Sequence, residues 1–174
     1  MLAAALVHLA RDGYAGMSID GIAADAGVGK PSIYRRWSGK ADLATAALSK
    51  LQAEEPRVVG NGARARLVSH LRGFRASLLR PNGMAMLGAV LAEESRTPEL
   101  MALFRERILA RRRRLLHDLL AEGIASGEIR RDADVDAAVN ALVGSFYARY
   151  LAGQPIGPDW PERVVSLVWP SLSR

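Results

Sequence analysis

Apolar positions recur at helical spacing almost throughout the chain and strand-like alternation is absent, which predicts an all-α fold of about nine helices. A first helix over residues 1–11 carries Leu2, Leu6 and Leu9 on one stripe and stops near Gly13. Ser18 can cap a second, in which Ile19, Ile22, Ala23 and Ala26 follow the i, i+3, i+4, i+7 pattern and Gly27 ends the run. A short third helix spans 30–37, with Pro31 in its first turn. Ser38 can cap a fourth over 40–54, with Leu43, Ala47, Leu48 and Leu51 facing inward. Pro-Arg-Val-Val-Gly-Asn-Gly at 56–62 breaks the pattern and predicts a boundary between a domain over 1–55 and a larger one over 56–174. A fifth helix covers 63–80, closed by Pro81-Asn82-Gly83, and a sixth covers 84–96. Thr97, with Pro98 behind it, opens a long seventh helix that reaches Ser126 before Gly127. Asp132 or Asp134 caps an eighth over 135–152, and Asp159 and Glu162 have capping-box spacing for a ninth that ends before Pro170.

The segment from Ser18 to Leu43 carries the most information. Two short helices joined by Gly27-Val28-Gly29 have the layout of a helix-turn-helix. Ala23 is small enough for the second helix to approach closely, and Ile22, Val28 and Ile33 can form the wedge between the two. Ile33 and Trp37, one turn apart, face inward and leave Lys30, Ser32, Tyr34 and Arg35 outward. A short helix with that outward set suits a major groove. A plain helical hairpin fits the layout as well.

Composition narrows the functions available. The 174 residues include no cysteine, which removes disulfides, thiolate metal sites and a cysteine nucleophile. No apolar run approaches a membrane span, and the first residues lack the basic start of a signal peptide, so a cytoplasmic protein is expected. The net charge of +6 suits an acidic partner. Its distribution does not point to the helix-turn-helix, because residues 1–56 hold six basic and six acidic side chains. Residues 57–114 hold thirteen and four, and residues 115–174 hold five and eight. Gly27-Val28-Gly29-Lys30 is not a phosphate-binding loop: Ala24 stands where the first glycine belongs and Pro31 where Ser or Thr belongs. His8, His70 and His117 are read as structural or surface residues. No nucleophile, base and orienting group can be assembled, and no metal, cofactor or catalytic residue is assigned.

The run Ser18-Ile19-Asp20-Gly21-Ile22-Ala23-Ala24-Asp25-Ala26-Gly27-Val28-Gly29-Lys30-Pro31-Ser32-Ile33-Tyr34-Arg35-Arg36-Trp37, preceded by Gly13-Tyr14 and followed by Lys40-Ala41-Asp42-Leu43, resembles the N-terminal domain of TetR-family transcriptional regulators. The likeness covers about residues 2–50. It implies a three-helix DNA-binding domain followed by a larger helical domain for effector binding and dimerisation. It implies that Ser18 and Lys40 contact phosphates, and that Lys30, Pro31, Ser32 and Tyr34 face the groove. Arg35 or Arg36 would contact the backbone or a guanine edge. Two features depart from the family. Gly29 stands where a hydroxyl residue is commoner, and the basic arm that usually precedes the first helix has no counterpart in these residues.

For the rest of the chain the resemblance implies an effector pocket, for which the candidates are Phe74, Leu78, Met86, Leu87, Val90, Phe104, Ile108, Leu120, Asn140 and Tyr147. Each is also an ordinary core candidate. The last two helices carry Val139, Leu142, Val143, Phe146, Tyr150, Val164, Val165, Leu167, Val168 and Trp169, more apolar surface than one face needs. By the same likeness Leu142, Val143, Phe146, Tyr150, Val164, Val165, Val168 and Trp169 are expected in a homodimer interface. Arg111 to Arg114 surround the helix axis and are expected to form a solvated segment with buried stems, paired with Glu106 or Asp118; a phosphate contact or an anionic ligand is the alternative. The expected function is a homodimeric repressor on a palindromic double-stranded operator, released by a small-molecule effector. The fourth helix is the expected lever. An architectural DNA-binding protein and a small-molecule carrier with a vestigial helix-turn-helix are the alternatives.

Overall fold

The computed structural model describes residues 1–53 and 57–173. Among them the chain is all helical: α1 Leu2–Gly16, α2 Ile19–Asp25, α3 Lys30–Tyr34, α4 Lys40–Ala53, α5 Gly62–Leu79 and α6 Gly83–Leu91. Helix α7 runs unbroken through Pro98–Phe104, a π-helical turn Arg105–Leu109, and Ala110–Ser126, and is followed by α8 Val135–Leu151 and α9 Trp160–Leu172. None of these helices is long and apolar enough to cross a membrane.

The chain forms two compact units. One takes residues 1–55 together with 77–111, so it extends beyond the first four helices; the other takes 56–76 and 112–174. In the first unit, α1 packs on α4 and α6, and α4 packs on α7. Its core joins Ala5, Leu9, Ile22, Ile33, Leu43 and Ala47 to Val90, Leu100, Met101 and Phe104. Burial of this apolar surface is the main force holding α2 and α3 in place, since neither is long enough to be stable alone. In the second unit, Phe146 of α8 meets the edges of Phe74 and Trp160 at 5.4 and 5.5 Å between ring centres. The indole N–H of Trp160 donates to Ser145 Oγ at 3.2 Å.

Several predicted ends move. The regular part of α3 stops at Tyr34, although the N–H groups of Arg36 and Trp37 both bond the Ile33 carbonyl and carry the turn onward. Helix α6 ends at Leu91 rather than Arg96, giving way to tight turns. Helix α9 runs through Pro170. Proline has no N–H to give, but the last turn is held from outside: Arg130 N–H bonds the Leu172 carbonyl at 2.9 Å, and Ile129 bridges Ser173.

Capping is mixed. Ser18 and Asp134 cap α2 and α8 through Gly21 N–H and Ala137 N–H. Thr97 does not cap α7; its hydroxyl donates to Glu93 instead, at 3.3 Å. The expected box at α9 does not form, because Asp159 lies by Arg163 and Glu162 pairs with Arg72.

Candidate nucleic-acid interface

The expected groove-facing residues gather on and just after one short helix. Gly27, at φ +63°, makes the turn between α2 and α3 in a conformation that costs a side chain dearly. Its N–H bonds the Ala24 carbonyl, and that of Val28 bonds Ala23. Helix α3 starts without a side-chain cap because Gly29 has no side chain to offer. Ile33 is buried in the core and fixes the helix rotation, so Lys30, Pro31, Tyr34, Arg35 and Arg36 are exposed and Ser32 is half-buried. Arg35 donates to Ser32 Oγ at 3.2 Å. Tyr34 is 56% exposed, a high value for an aromatic ring.

Other predicted contacts carry structural duties as well. Ser18 Oγ accepts from Gly21 N–H at 3.1 Å, which leaves its own O–H to donate. Lys40 Nζ donates to the carbonyls of Tyr14 and Ala15, at 2.8 and 3.3 Å, and lies 4.4 Å from the centre of the Tyr14 ring. Lys40 thus ties the end of α1 to the start of α4, and two of its three donors are already engaged.

Three ionisable residues in this region gave no functional signal in the sequence. Asp20, in the first turn of α2, holds Lys30 Nζ at 2.6 Å. Its hydrogen bond and charge raise the Lys30 pKa above the ordinary value. His8 is buried, with its ring 2.8 Å from Asp25 and 3.4 Å from Asp12. A Cβ on Gly21 would stand 2.8 Å from that ring, so the seat for His8 needs glycine there. The four-residue spacing of His8 and Asp12 is the sign by which this pairing could have been found. Asp42 accepts the Ser38 N–H at 2.7 Å and its hydroxyl at 3.2 Å, the reverse of the expected cap, and pairs with Arg107 on the π turn of α7.

The Arg107 hydrogen bond lowers the Asp42 pKa; partial burial opposes this, and the Ser38 N–H adds to it. A carboxylate held below its unfolded pKa contributes stability above that value and loses it as pH falls. Asp42→Asn is therefore expected to lower stability by about 1–3 kcal/mol at neutral pH. The difference from the unsubstituted protein should shrink below about pH 4. Urea unfolding at pH 7 and at pH 3.5 measures both.

Two family models match the chain. One, described as bacterial regulatory proteins of the tetR family, matches residues 1–47. The other, described as the tetracyclin repressor-like C-terminal domain, matches residues 61–168. The chain belongs to the TetR family of transcriptional regulators. Among relatives of this regulator, an uncharacterized HTH-type transcriptional regulator of Mycobacterium bovis is 30% identical over 180 residues, covering 100% of this chain and 87% of its own. The DNA-binding transcriptional repressor TetR of Mycobacteroides abscessus is 37% identical over 102 residues, 58% of this chain and 48% of that protein. The crystal structure of the TetR-family regulator SCO0332 superposes with a TM-score of 0.74 at 26% identity, covering 99% of this chain and 96% of that one. FadR from Bacillus subtilis, solved with stearoyl-CoA, gives 0.77 at 23% identity over 98% and 96%.

The regulator does not bring the ten expected pocket residues into one unit. Met86, Val90, Phe104 and Ile108, with Leu87 beside them, pack into the α1–α4 core of the first unit, to which Leu78 also belongs. Phe74, Leu120, Asn140 and Tyr147 lie in the second. There Phe74 meets the Tyr147 ring edge-on at 6.0 Å and the Arg112 guanidinium at 5.3 Å, and burial pushes the Tyr147 phenol up. Asn140 is exposed and accepts from Arg113 at 2.8 Å. Asp136 also faces Arg113, at 3.4 Å, so this arginine engages α8 rather than Glu106 or Asp118.

The interface candidates divide by exposure. Leu142, Phe146, Val164, Val165 and Val168 are buried within the chain itself, and Val143 and Trp169 are half-buried. Facing out on the same two helices are Tyr150, Leu151 and Leu167.

Proposed function

We propose that this regulator is a homodimeric repressor that reads a palindromic operator with two copies of α3 and leaves it when a small molecule binds. The observation that carries the reading is the outward set on and just after α3, where cations and an exposed tyrosine stand beside one buried isoleucine that anchors the helix. A twofold dimer would present two such helices to half-sites one or more turns apart. The relative named as a DNA-binding transcriptional repressor supports negative control. FadR, holding stearoyl-CoA in a body of the same fold, supports a small-molecule effector. By this reading residues 1–55 bind DNA, and residues 56–174 dimerise and sense the effector.

Two hollows open on the α8–α9 face. One, of about 310 Å³, is lined by Arg149, Trp160, Arg163 and Leu167 among others; the second, of about 240 Å³, is lined by Arg130, Ala137, Ala141 and Val168 among others. With Leu151 and Leu167 standing out from the same face, these supply the relief into which a second copy can pack. Release requires that the effector bind one arrangement of the dimer better than the other.

Fluorescence anisotropy tests the reading, with duplexes tiled across the DNA upstream of the regulator's gene and a scrambled duplex at physiological salt. A preference of on the order of a thousandfold for one palindromic tile is expected. Equal binding to every tile would replace specific regulation with architectural binding.

A further inference from the structure

The ion pair between Asp20 and Lys30 lies within the surface assigned to DNA, where every phosphate repels the acid. The two side chains are 66% and 54% exposed, so the pair adds little to folding stability. Its consequence is geometric. Lys30 opens α3, the place from which a recognition helix reaches base edges. A lysine ammonium rides on a flexible four-carbon stem, and left free it finds the nearest phosphate whatever the sequence. Asp20 restrains that stem from the first turn of α2, which Ser18 in turn caps.

We propose that Asp20 is a specificity-determining residue, holding the Lys30 ammonium off the phosphates so that it serves a base edge. The proposal rests on α3 being the DNA-reading helix. Held in this way, Lys30 can donate to guanine O6 or N7. Released, it neutralises a phosphate, strengthens binding to all duplexes and blurs the choice between them.

Four proteins decide the matter: the regulator itself, Asp20→Asn, Lys30→Met and the double variant. Each is titrated by anisotropy on the preferred tile and on the scrambled duplex, from about 50 to about 200 mM salt. Asp20→Asn is expected to tighten scrambled-duplex binding about threefold to tenfold and to steepen the dependence of log K on log salt by about one unit for each lysine released. The preferred tile should gain less, so the ratio of the two affinities falls. On the Lys30→Met background the same substitution should leave the salt slope unchanged. An unaltered scrambled-duplex affinity and slope in Asp20→Asn would overturn the proposal. So would an equal gain with Lys30 absent, which would make Asp20 only a repelling charge. If the unsubstituted regulator prefers no tile, the reading of α3 as a sequence-specific helix fails, before any variant is considered.

Discussion

Tyr34→Ala is expected to cut affinity for the preferred duplex by about tenfold to a hundredfold at each half-site, or about 1–3 kcal/mol. A dimer bears the loss twice. The ring stands 56% exposed on α3, whereas its neighbour Ile33 is 1% exposed. Removing an exposed side chain changes folding stability by no more than about 0.5 kcal/mol, so thermal unfolding should hardly move. Anisotropy and a melting curve on the same preparation separate the two effects. Tyr34→Phe divides the role further: a phosphate contact through the hydroxyl would be lost in Phe, whereas packing on a thymine methyl would survive. Unchanged affinity in Tyr34→Ala would remove the residue from the interface.

The three-helix layout was legible in the sequence because its signals are local. Ser18 as cap, Gly27 in the turn and the Ile33–Trp37 spacing each act over a few residues, and each appears where the pattern places it. The ion pair that ties α4 to α7 was not legible, because it joins residues far apart in the chain. Asp42 meets Arg107 across 65 positions, and no periodicity links them. The same limit explains the pocket and interface candidates. Hydrophobic spacing marks a residue as inward without saying into which core it points. Val90 and Phe104 read like Phe74 and Leu120, yet they pack against α1 and α4. Leu142 and Leu167 likewise have the same chemistry, and only the packing of α8 on α9 buries the first and leaves the second in water. The one outward leucine on α9 is therefore the better probe of the proposed dimer.

Leu167→Asp is expected to convert the proposed dimer to folded monomers. Leu167 is 79% exposed in the single chain, and Leu151, the last residue of α8, is 83% exposed. A carboxylate placed on a twofold interface is desolvated in both copies, at a cost of several kcal/mol that Arg163, one turn away and lining the same hollow, offsets only in part. A loss of about 4 kcal/mol is roughly a thousandfold in the dimer dissociation constant, enough to leave monomers at micromolar concentration. Sedimentation velocity reads this directly, and a persistent dimer would place the interface on another face. Charges at Leu142 or Val165 would not answer the question, because both are buried inside the protomer and the chain itself would unfold. Leu167→Asp should also weaken the preferred duplex by on the order of a hundredfold or more, since the second half-site no longer benefits from the first. That loss differs in kind from the loss in Tyr34→Ala. A folded monomer retains α3 and should still read a single half-site, with no dependence on half-site spacing, whereas the Tyr34 variant should remain a dimer that reads both half-sites poorly.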